Sequence, residues 1–416
     1  MGTCKHQRKC EHRVYQCSQN NIMHKQKPSS YTTSWTNDIS SIDRADWDSL
    51  AKPLAIPFLE WDWLRLMENS GSTTAKTGWL PYHLAVWSSR RLIALAPMYI
   101  KGHSAGEFVF DHVWADVARR LGIEYYPKLI GMSPFTPMTG YRFLIAAGEN
   151  ESELTALMVA EIDRLCRSYR MSGSSFLFAD PQWRHEMVKH GYLGWRHQSY
   201  AWHNQDYENF DEYLAVFNSN QRRNIKRERK AIKNQGVTIR TFTGQDIPRS
   251  FFPLMYQYYE STNDKFGPWG CRYLTKAFFD GLYHHFRHRL LIVAAFDEKE
   301  PSIPLGMSML VTKGAQLYGR YWGCSRTVNA LHFNACYYAP IEWAITNRIR
   351  RFDPGAGGGH KIRRGFEAVP SYSLHRFYDP RLARVMQTHI DEINLLEQEQ
   401  IDNLNHELPF ARRLKN

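Results

Sequence analysis

The chain has 416 residues, 43% apolar and 23% charged and rich in Trp, Tyr and Phe, which excludes a disordered chain and exceeds what one hydrophobic core normally serves, so two domains with extensions are expected. Its net charge of +12 suggests a polyanion binder until it is mapped: Lys5, Arg8, Lys9, Arg13, Lys25 and Lys27 face only Glu11 at the N-terminus, and the stretch 220–236 sets seven Lys or Arg against Glu228. The remainder is close to neutral, so the charge marks two local patches and excludes a protein coated in positive potential.

Residues 1–40 are polar, with no sustained period, and read as a mobile basic extension. They hold no apolar segment of a secretory signal, and "MGTCKH" lacks the Ser or Thr of a myristoylation signal. Seven scattered cysteines, an odd number, fit a reducing compartment and so a cytoplasmic location. Cys4, Cys10, Cys17, His6 and His12 carry zinc-type donors without a CxxC pair, so they read as incidental and no metal site is expected. No apolar run approaches the ~18 residues of a membrane span.

From 56 to 69, "IPFLEWDWLRLMEN" spaces Phe58, Trp61, Leu64 and Met67 along one helical face, and "SGS" stops it. The segment "HLAVWSSRRLIALAPMYIK" predicts two apolar strands, "EFVFDHVWADVARRLG" a helix, 151–171 a long helix with Leu154, Leu157, Met158, Ile162, Leu165 and Tyr169 inward, and "SSFLFADP" a strand. The second half opens with the basic helix, stopped by Gly236 and followed by strand "VTIRTF". A polar-aromatic helical region over 251–288 leads to the hairpin "LLIVAAFDEKEPSIPLGMSMLVTK", strand "AQLYGRYWGC", a helix through "FNACYYAPIEWAITNRI" and strand "RRFDPG". Each half reads as helix, hairpin, helix, strand, a weak duplication that predicts two similar α/β modules. The predicted division is 1–40 extension, 41–205 first module, 206–380 second module, and 381–416 an amphipathic helix and tail.

Several signatures come close and miss. In "HEMVKH" five residues separate His185 from His190, about 140° apart on a helix, so they do not form a zinc-binding pair. In "PGAGGGHKIRRGF" Ile362 follows Lys361 where a phosphate loop has Ser or Thr, and "GMSPF" lacks the second glycine of a nucleophile elbow. What holds lies between 318 and 375. Strand alternation puts Tyr318, Arg320 and Trp322 on one face, an aromatic-basic surface that competes with a half-buried core reading. Beyond the next strand, Gly355, Gly357, Gly358 and Gly359 offer amides for an anion nest, with His360, Lys361, Arg363 and Arg364 directly behind. A plain surface loop is the alternative.

The blocks "IPFLEWDWLRLMENSGS", "APMYIKGHSAGEFVFDHVWADVARRLGIEYYPKLIGMSPFTPMTGYRFL", "NFDEYLAVFNSNQRRNIKRERK", "LYGRYWGCSRTVNALHFNACYY" and "FDPGAGGGHKIRRGFEAVPSYSLHRF" resemble the FemAB-like predicted N-acyltransferases, a bacterial peptidoglycan biosynthesis/recognition family, over about residues 40–400. The resemblance implies two tandem GNAT-like domains, mixed sheets flanked by helices, and transfer of an acyl group to an amine. It implies acyl-CoA or aminoacyl-tRNA as cosubstrate, with no tightly bound cofactor. "RYWGCS" meets the pyrophosphate loop of acetyl-CoA users only through Arg320 and Gly323, so the donor stays unassigned. A small-molecule or lipid-linked amine is the expected acceptor, with tRNA and the inner membrane face as candidate partners.

Amine attack on an activated carbonyl needs a proton acceptor, oxyanion donors and positioning. The amides of 355–359 and Lys361 are candidates for phosphate or oxyanion binding. Asp353, Glu107, Asp111, His332 and His360 are candidate proton acceptors, each with a plainer role: Asp353 as a turn cap, Glu107 and Asp111 at a helix start, either histidine as a satisfied core residue. Cys324 reads first as a small buried side chain. The basic helix has a narrow apolar stripe, Ile225 and Ile232, and only Glu228 to pair with, so an anionic ligand at Arg222 and Arg223, with Lys265 as a further candidate, competes with a solvated face. The alternative function is a non-catalytic recognition module for a cell-envelope glycopeptide or an RNA.

Overall fold

The computed structural model describes residues 31–109, 111–267 and 270–411; the readings on residues 1–30, with the Cys4, Cys10 and Cys17 group, lie outside the described residues. In chain order the elements are β1 (Tyr31–Thr36), α1 (Arg44–Ala51), α2 (Trp61–Asn69), β2 (Trp79–Pro81), β3 (His83–Ser88), β4 (Arg91–Ala96), β5 (Met98–Lys101), α3 (His112–Arg120), β6 (Lys128–Gly131), β7 (Leu144–Ile145), α4 (Glu151–Ser168), β8 (Gly173–Phe176), α5 (Trp183–Lys189) and β9 (Leu193–His203). They continue with α6 (Phe210–Ala215), α7 (Ser219–Asn234), β10 (Val237–Thr243), α8 (Phe251–Asp264), α9 (Lys276–His285), β11 (Leu290–Asp297), β12 (Glu300–Lys313), β13 (Gln316–Cys324), α10 (Leu331–Phe333), a π turn (Asn334–Tyr338), α11 (Ala339–Thr346), β14 (Arg351–Asp353), β15 (Glu367–Phe377) and α12 (Pro380–His406).

The chain forms two compact units, Met1–His197 with Ser371–Gln398, and Gln198–Pro370 with Glu399–Asn416. The C-terminal helix is therefore no segment apart. Its Leu382, Met386 and Ile390 pack with Trp114 and Tyr125 in the first unit, whereas Ile401 joins the core of the second.

In the first unit, β1, β3, β4 and β7 make one antiparallel sheet. Residues 31–36 correct the reading of a mobile stretch reaching to 40, because Tyr31–Thr36 pairs along its whole length with His83–Ser88 and Trp35 stacks on Tyr82 at 5.4 Å. The Thr- and Ser-rich sequence hides a strand whose β-branched and aromatic residues suit a half-buried sheet. A second set runs β2, β5, β6, β8 and the unit's part of β15. Helix α4 buries Leu154, Met158, Ile162 and Leu165 of the predicted stripe, leaves Leu157 half-buried and ends before the half-buried Tyr169, and its N-cap Asn150 accepts from the Glu153 amide at 3.2 Å.

That unit also encloses a hydrogen-bonded chain: His197 Nε2 to Ser373 Oγ (2.6 Å), Ser373 Oγ to His375 Nε2 (2.7 Å), His375 Nδ1 to Ser175 Oγ (2.9 Å). Burial drives the His375 imidazole down to about 3 and that of His197 to about 4. Both are neutral in the fold, so between the unfolded value near 6.5 and about 3 the unfolded chain binds more protons. Stability is complete above that window and falls as the pH drops through it. We expect the unfolding free energy measured by urea titration from pH 7 to 4 to fall more in wild type than in His375→Gln, by on the order of 3 kcal/mol; parallel curves would show that His375 is not held neutral.

In the second unit the order is β10-β11-β12-β13-β14-β9, antiparallel except for β13 and β14. The core lies between Leu291, Val293, Leu310, Leu317 and Phe352 of the sheet and Ala335, Tyr338, Ile341 and Ile345 of the helical segment above it, with Ile225 of α7 inserted at its edge. The duplication is visible in the backbone. In the first unit antiparallel β5 and β6 are followed by α4 and by β8, parallel to β6; in the second, antiparallel β12 and β13 are followed by α10 and α11 and by β14, parallel to β13. Among the described residues no helix is long and apolar enough to cross a membrane.

Candidate functional site

The site residues of the second unit gather where β13 and β14 part. Their parallel ladder covers only Gln316 with Arg351, Leu317 with Phe352 and Tyr318 with Asp353; β13 then continues to Cys324 while the chain after β14 turns away at Pro354. Crevices at the carboxyl ends of parallel strands are where ligands enter open α/β sheets. On the β12 side, Met309 faces Tyr321 while Leu310 faces Gly319, so Arg320 is an extra residue, a β-bulge. The bulge corrects the expectation that Tyr318, Arg320 and Trp322 share a face. Tyr321 turns to Tyr259 and Phe279, Trp322 meets His332 at 5.5 Å on the core side, and Arg320 donates to the Tyr321 hydroxyl at 2.9 Å. At Gly323 a Cβ would lie 2.2 Å from the Tyr258 carbonyl oxygen, so only glycine lets α8 approach this strand.

The helical segment facing the crevice begins at Ala330, held at φ 62, a left-handed conformation that costs a non-glycine residue on the order of 1 kcal/mol. Its π turn precedes Pro340, whose missing N–H and bulky ring disturb the ladder one turn earlier. The Ser308 hydroxyl holds the turn through the Ala335 carbonyl at 2.6 Å. On a regular helix His332 and Tyr337 diverge by about 140°; the widened turn brings their rings to 5.4 Å. His360 then hydrogen-bonds through Nε2 to the Tyr337 hydroxyl at 2.8 Å and stands 5.8 Å from the His332 ring. Burial first, then neighbouring Arg364 and Lys361, lower the pKa of His360; burial, His360 and the same two cations lower His332 to about 4. Two neutral imidazoles meet at the mouth.

The glycine-rich turn is built from inside. Asp353, 1% exposed, accepts the Gly355 amide at 3.0 Å, the capping role foreseen for it. Its Oδ2 has no hydrogen bond, Arg351 stands 3.6 Å away, and burial raises its pKa against the pull of that guanidinium. Lys361 is equally buried and donates to the carbonyls of Gly355 (2.6 Å) and Ala356 (3.2 Å); burial lowers its pKa to about 8. The ammonium fastens the loop rather than reaching outward. Gly355, Gly357 and Gly358 have φ of 88, 66 and 87, and a Cβ on Gly358 would strike the His360 ring. The amides of Ala356, Gly357 and Gly358 bond to no described residue, and residues 356–360 are exposed, so the loop is open to an anion or to solvent.

Arg364 is likewise internal: its guanidinium meets both Glu228 oxygens at 3.0 and 2.9 Å, caps the His360 carbonyl at 2.9 Å and lies 3.4 Å from the Phe333 ring. Tyr338 donates a short hydrogen bond to the same carboxylate. The lone acid of the basic helix thus faces inward, and Arg364 is a brace. Arg222 caps α6 through the Ala215 and Phe217 carbonyls at 3.3 and 2.9 Å. Arg223, Arg363 and Lys265 are exposed. Burial raises the thiols of Cys324 and Cys336, which suits packing rather than attack.

Glu107 and Asp111 belong to a separate buried cluster in the first unit. Lys128 reaches Glu107 at 2.9 Å and pairs closely with Asp111, whose Oδ2 also accepts from the Tyr125 hydroxyl at 2.8 Å. Burial raises Glu107 to about 7; burial also opposes ionisation of Asp111, but Lys128 and its hydrogen bonds bring that group below its usual range. Asp111 precedes α3 without capping it, so the helix-start role is replaced by an ion pair. Sequence reasoning missed Tyr337 and Arg351. For Arg351 the signal was present, since residues two apart on a strand share a face with Asp353; for Tyr337 only Pro340 hinted at the π turn.

Taken together, two α/β modules, each with a parallel strand pair joined through a helix, define a tandem GNAT-like protein. The family model described as peptidoglycan biosynthesis/recognition, FemAB-like, matches residues 38–412, and the chain belongs to that family. Among solved structures it is similar to FemX (11% identity, 83% of this chain and 98% of that one, TM-score 0.51). It is also similar to L-PGS from Bacillus licheniformis (10%, 81% and 98%, 0.47) and to a tandem GNAT protein from the clavulanic acid biosynthesis pathway (11%, 77% and 94%, 0.39). A search of curated proteins finds no match.

Proposed function

We propose that the chain is an N-acyltransferase that forms an amide from an acceptor amine and an activated acyl donor, either a thioester of CoA or the ester of an aminoacyl-tRNA. The observation that carries this reading is the meeting, at the open end of β13 and β14, of unpartnered Ala356–Gly358 amides with the neutral imidazole of His360. In the step, the amine nitrogen bonds to the acyl carbonyl, its proton passes to His360 Nδ1, and the carbon–sulfur or carbon–oxygen bond to the leaving group breaks. The leaving thiolate or alkoxide takes up the proton. Tyr337 fixes the ring by accepting from Nε2–H, which leaves Nδ1 free as base. The loop amides receive the oxyanion or a donor phosphate, with Lys361 and Asp353 as positioning residues that hold the loop's shape. Burial and the neighbouring Arg364 and Lys361 favour the neutral form of the imidazole.

Arg223, Lys226, Arg227 and Lys230 line the exposed side of α7 and have no carboxylate partner among the described residues. They support an anionic cosubstrate or a lipid-linked acceptor, in a cytoplasmic, cell-envelope-related reaction. Purified protein given radiolabelled acyl-CoA or charged tRNA with an extract of amine acceptors is expected to place label in a new amide. With either donor, raising the salt from 50 to 200 mM should weaken apparent donor binding more in wild type than in a variant with these four cations replaced by Gln; salt dependence equal in both would remove α7 from the donor's path.

A further inference from the structure

We propose that the second unit carries a separate docking groove for an extended, acidic peptide along the free edge of β10. The strand pairs with β11 on one side only and ends the sheet of that unit. A cavity of about 560 Å³ runs beside it, lined by the consecutive residues Val237, Thr238, Ile239, Arg240 and Thr241. Successive strand side chains point to opposite faces, so lining by five residues in a row places the cavity along the backbone edge itself, where every second N–H and C=O is unspent. A small ligand in a pocket on one face would touch alternate residues.

The two sides of this edge differ. Val237 and Ile239 face the helices, where Ile232, Tyr338 and Trp343 also border the cavity. Arg240 shares the other face with Phe296, 5.2 Å from its ring. Lys233 stands on the rim, and neither it nor Arg240 has a carboxylate partner among the described residues, whereas Arg229 is already committed to Glu342 at 2.7 Å. A strand added here would set alternate side chains against the apolar wall, with Lys233 of α7 at its rim, and against Arg240 on the other face. Alternating aliphatic or aromatic and acidic residues meet both requirements, with main-chain hydrogen bonds supplying affinity and the alternation supplying selectivity. The two cations without carboxylate partners call for an acidic occupant, and a separate acidic partner is the one proposed.

The test titrates the full-length protein with a mixture of fluorescent seven-residue peptides bearing Glu or Asp at every second position and Val, Ile, Phe or Tyr between. Saturable binding in the micromolar range is expected, with slowed amide exchange over 237–243, at least tenfold weakening in the double variant Lys233→Glu, Arg240→Glu, and similar weakening when the peptide acids become Lys. No binding at millimolar peptide, or binding indifferent to the double variant, overturns the proposal. So does a result in which a single-stranded oligonucleotide protects 237–243 and the peptides do not. None of these readouts involves acyl transfer, so the groove stands or falls independently of the site at β13 and β14.

Discussion

Replacing Arg364 by Met is expected to cost the protein about 3–5 kcal/mol, the usual penalty for stranding the partner of a buried ion pair. The guanidinium is 3% exposed and makes five contacts at once: two to Glu228, one to the His360 carbonyl, one to the face of Phe333 and, at 5.9 Å, one to the Tyr338 ring. Removing it leaves a carboxylate held among Tyr338, Asn224 and apolar side chains. The denaturant midpoint should fall with an unchanged slope, since the surface exposed on unfolding is the same. The double variant Glu228→Gln, Arg364→Met should recover much of the loss, because no buried charge remains. A single variant within 1 kcal/mol of wild type would show that the pair is solvated.

The second large effect concerns the imidazole at the crevice. For His360→Ala we expect kcat for amide formation to fall by 10²–10⁴, the range that a positioned general base contributes. Wild-type kcat/KM should carry an acid limb below pH 6.5, because the group's pKa is lowered by burial and by Arg364 and Lys361, and the variant should lose that limb. Tyr337→Phe removes only the ring's anchor; it should lower kcat less and keep the limb. A His360→Ala enzyme with a wild-type pH profile would move the base elsewhere, with Asp353, whose Oδ2 accepts no hydrogen bond, the next group to test.

Much of this architecture was legible from pattern. The 3.6-residue stripe of α4 and the hairpin of β11 and β12 follow from apolar periodicity, whereas β6, β9 and β15 were not read from it. Residues 31–36 were not legible, because a Thr- and Ser-rich strand carries little hydrophobic signal. At the proposed site, the sequence singled out the loop but not the directions of its cations. Lys361 and Arg364 look like ligand-binding charges in a string of letters; the fold turns one onto the Gly355 and Ala356 carbonyls and the other onto Glu228. Those partners lie up to 136 positions away in the chain, beyond any local pattern. The bulge at Arg320 and the π turn before Pro340 reset the side-chain alternation on which the aromatic-basic face had been read. Glu107 and Asp111 show the converse: a pair of acids at helix-start spacing was drawn to Lys128, a partner no local spacing announces.

The most direct test of the central claim is donor-to-amine transfer by the purified full-length protein, with charged tRNA and acyl-CoA supplied separately and His360→Ala run beside wild type. Label in a new amide with one donor class, reduced at least a hundredfold in the variant, is the predicted result. Retention of an acceptor or donor without turnover would contradict it and leave the crevice as a recognition site; turnover indifferent to His360 would contradict the role given to that imidazole.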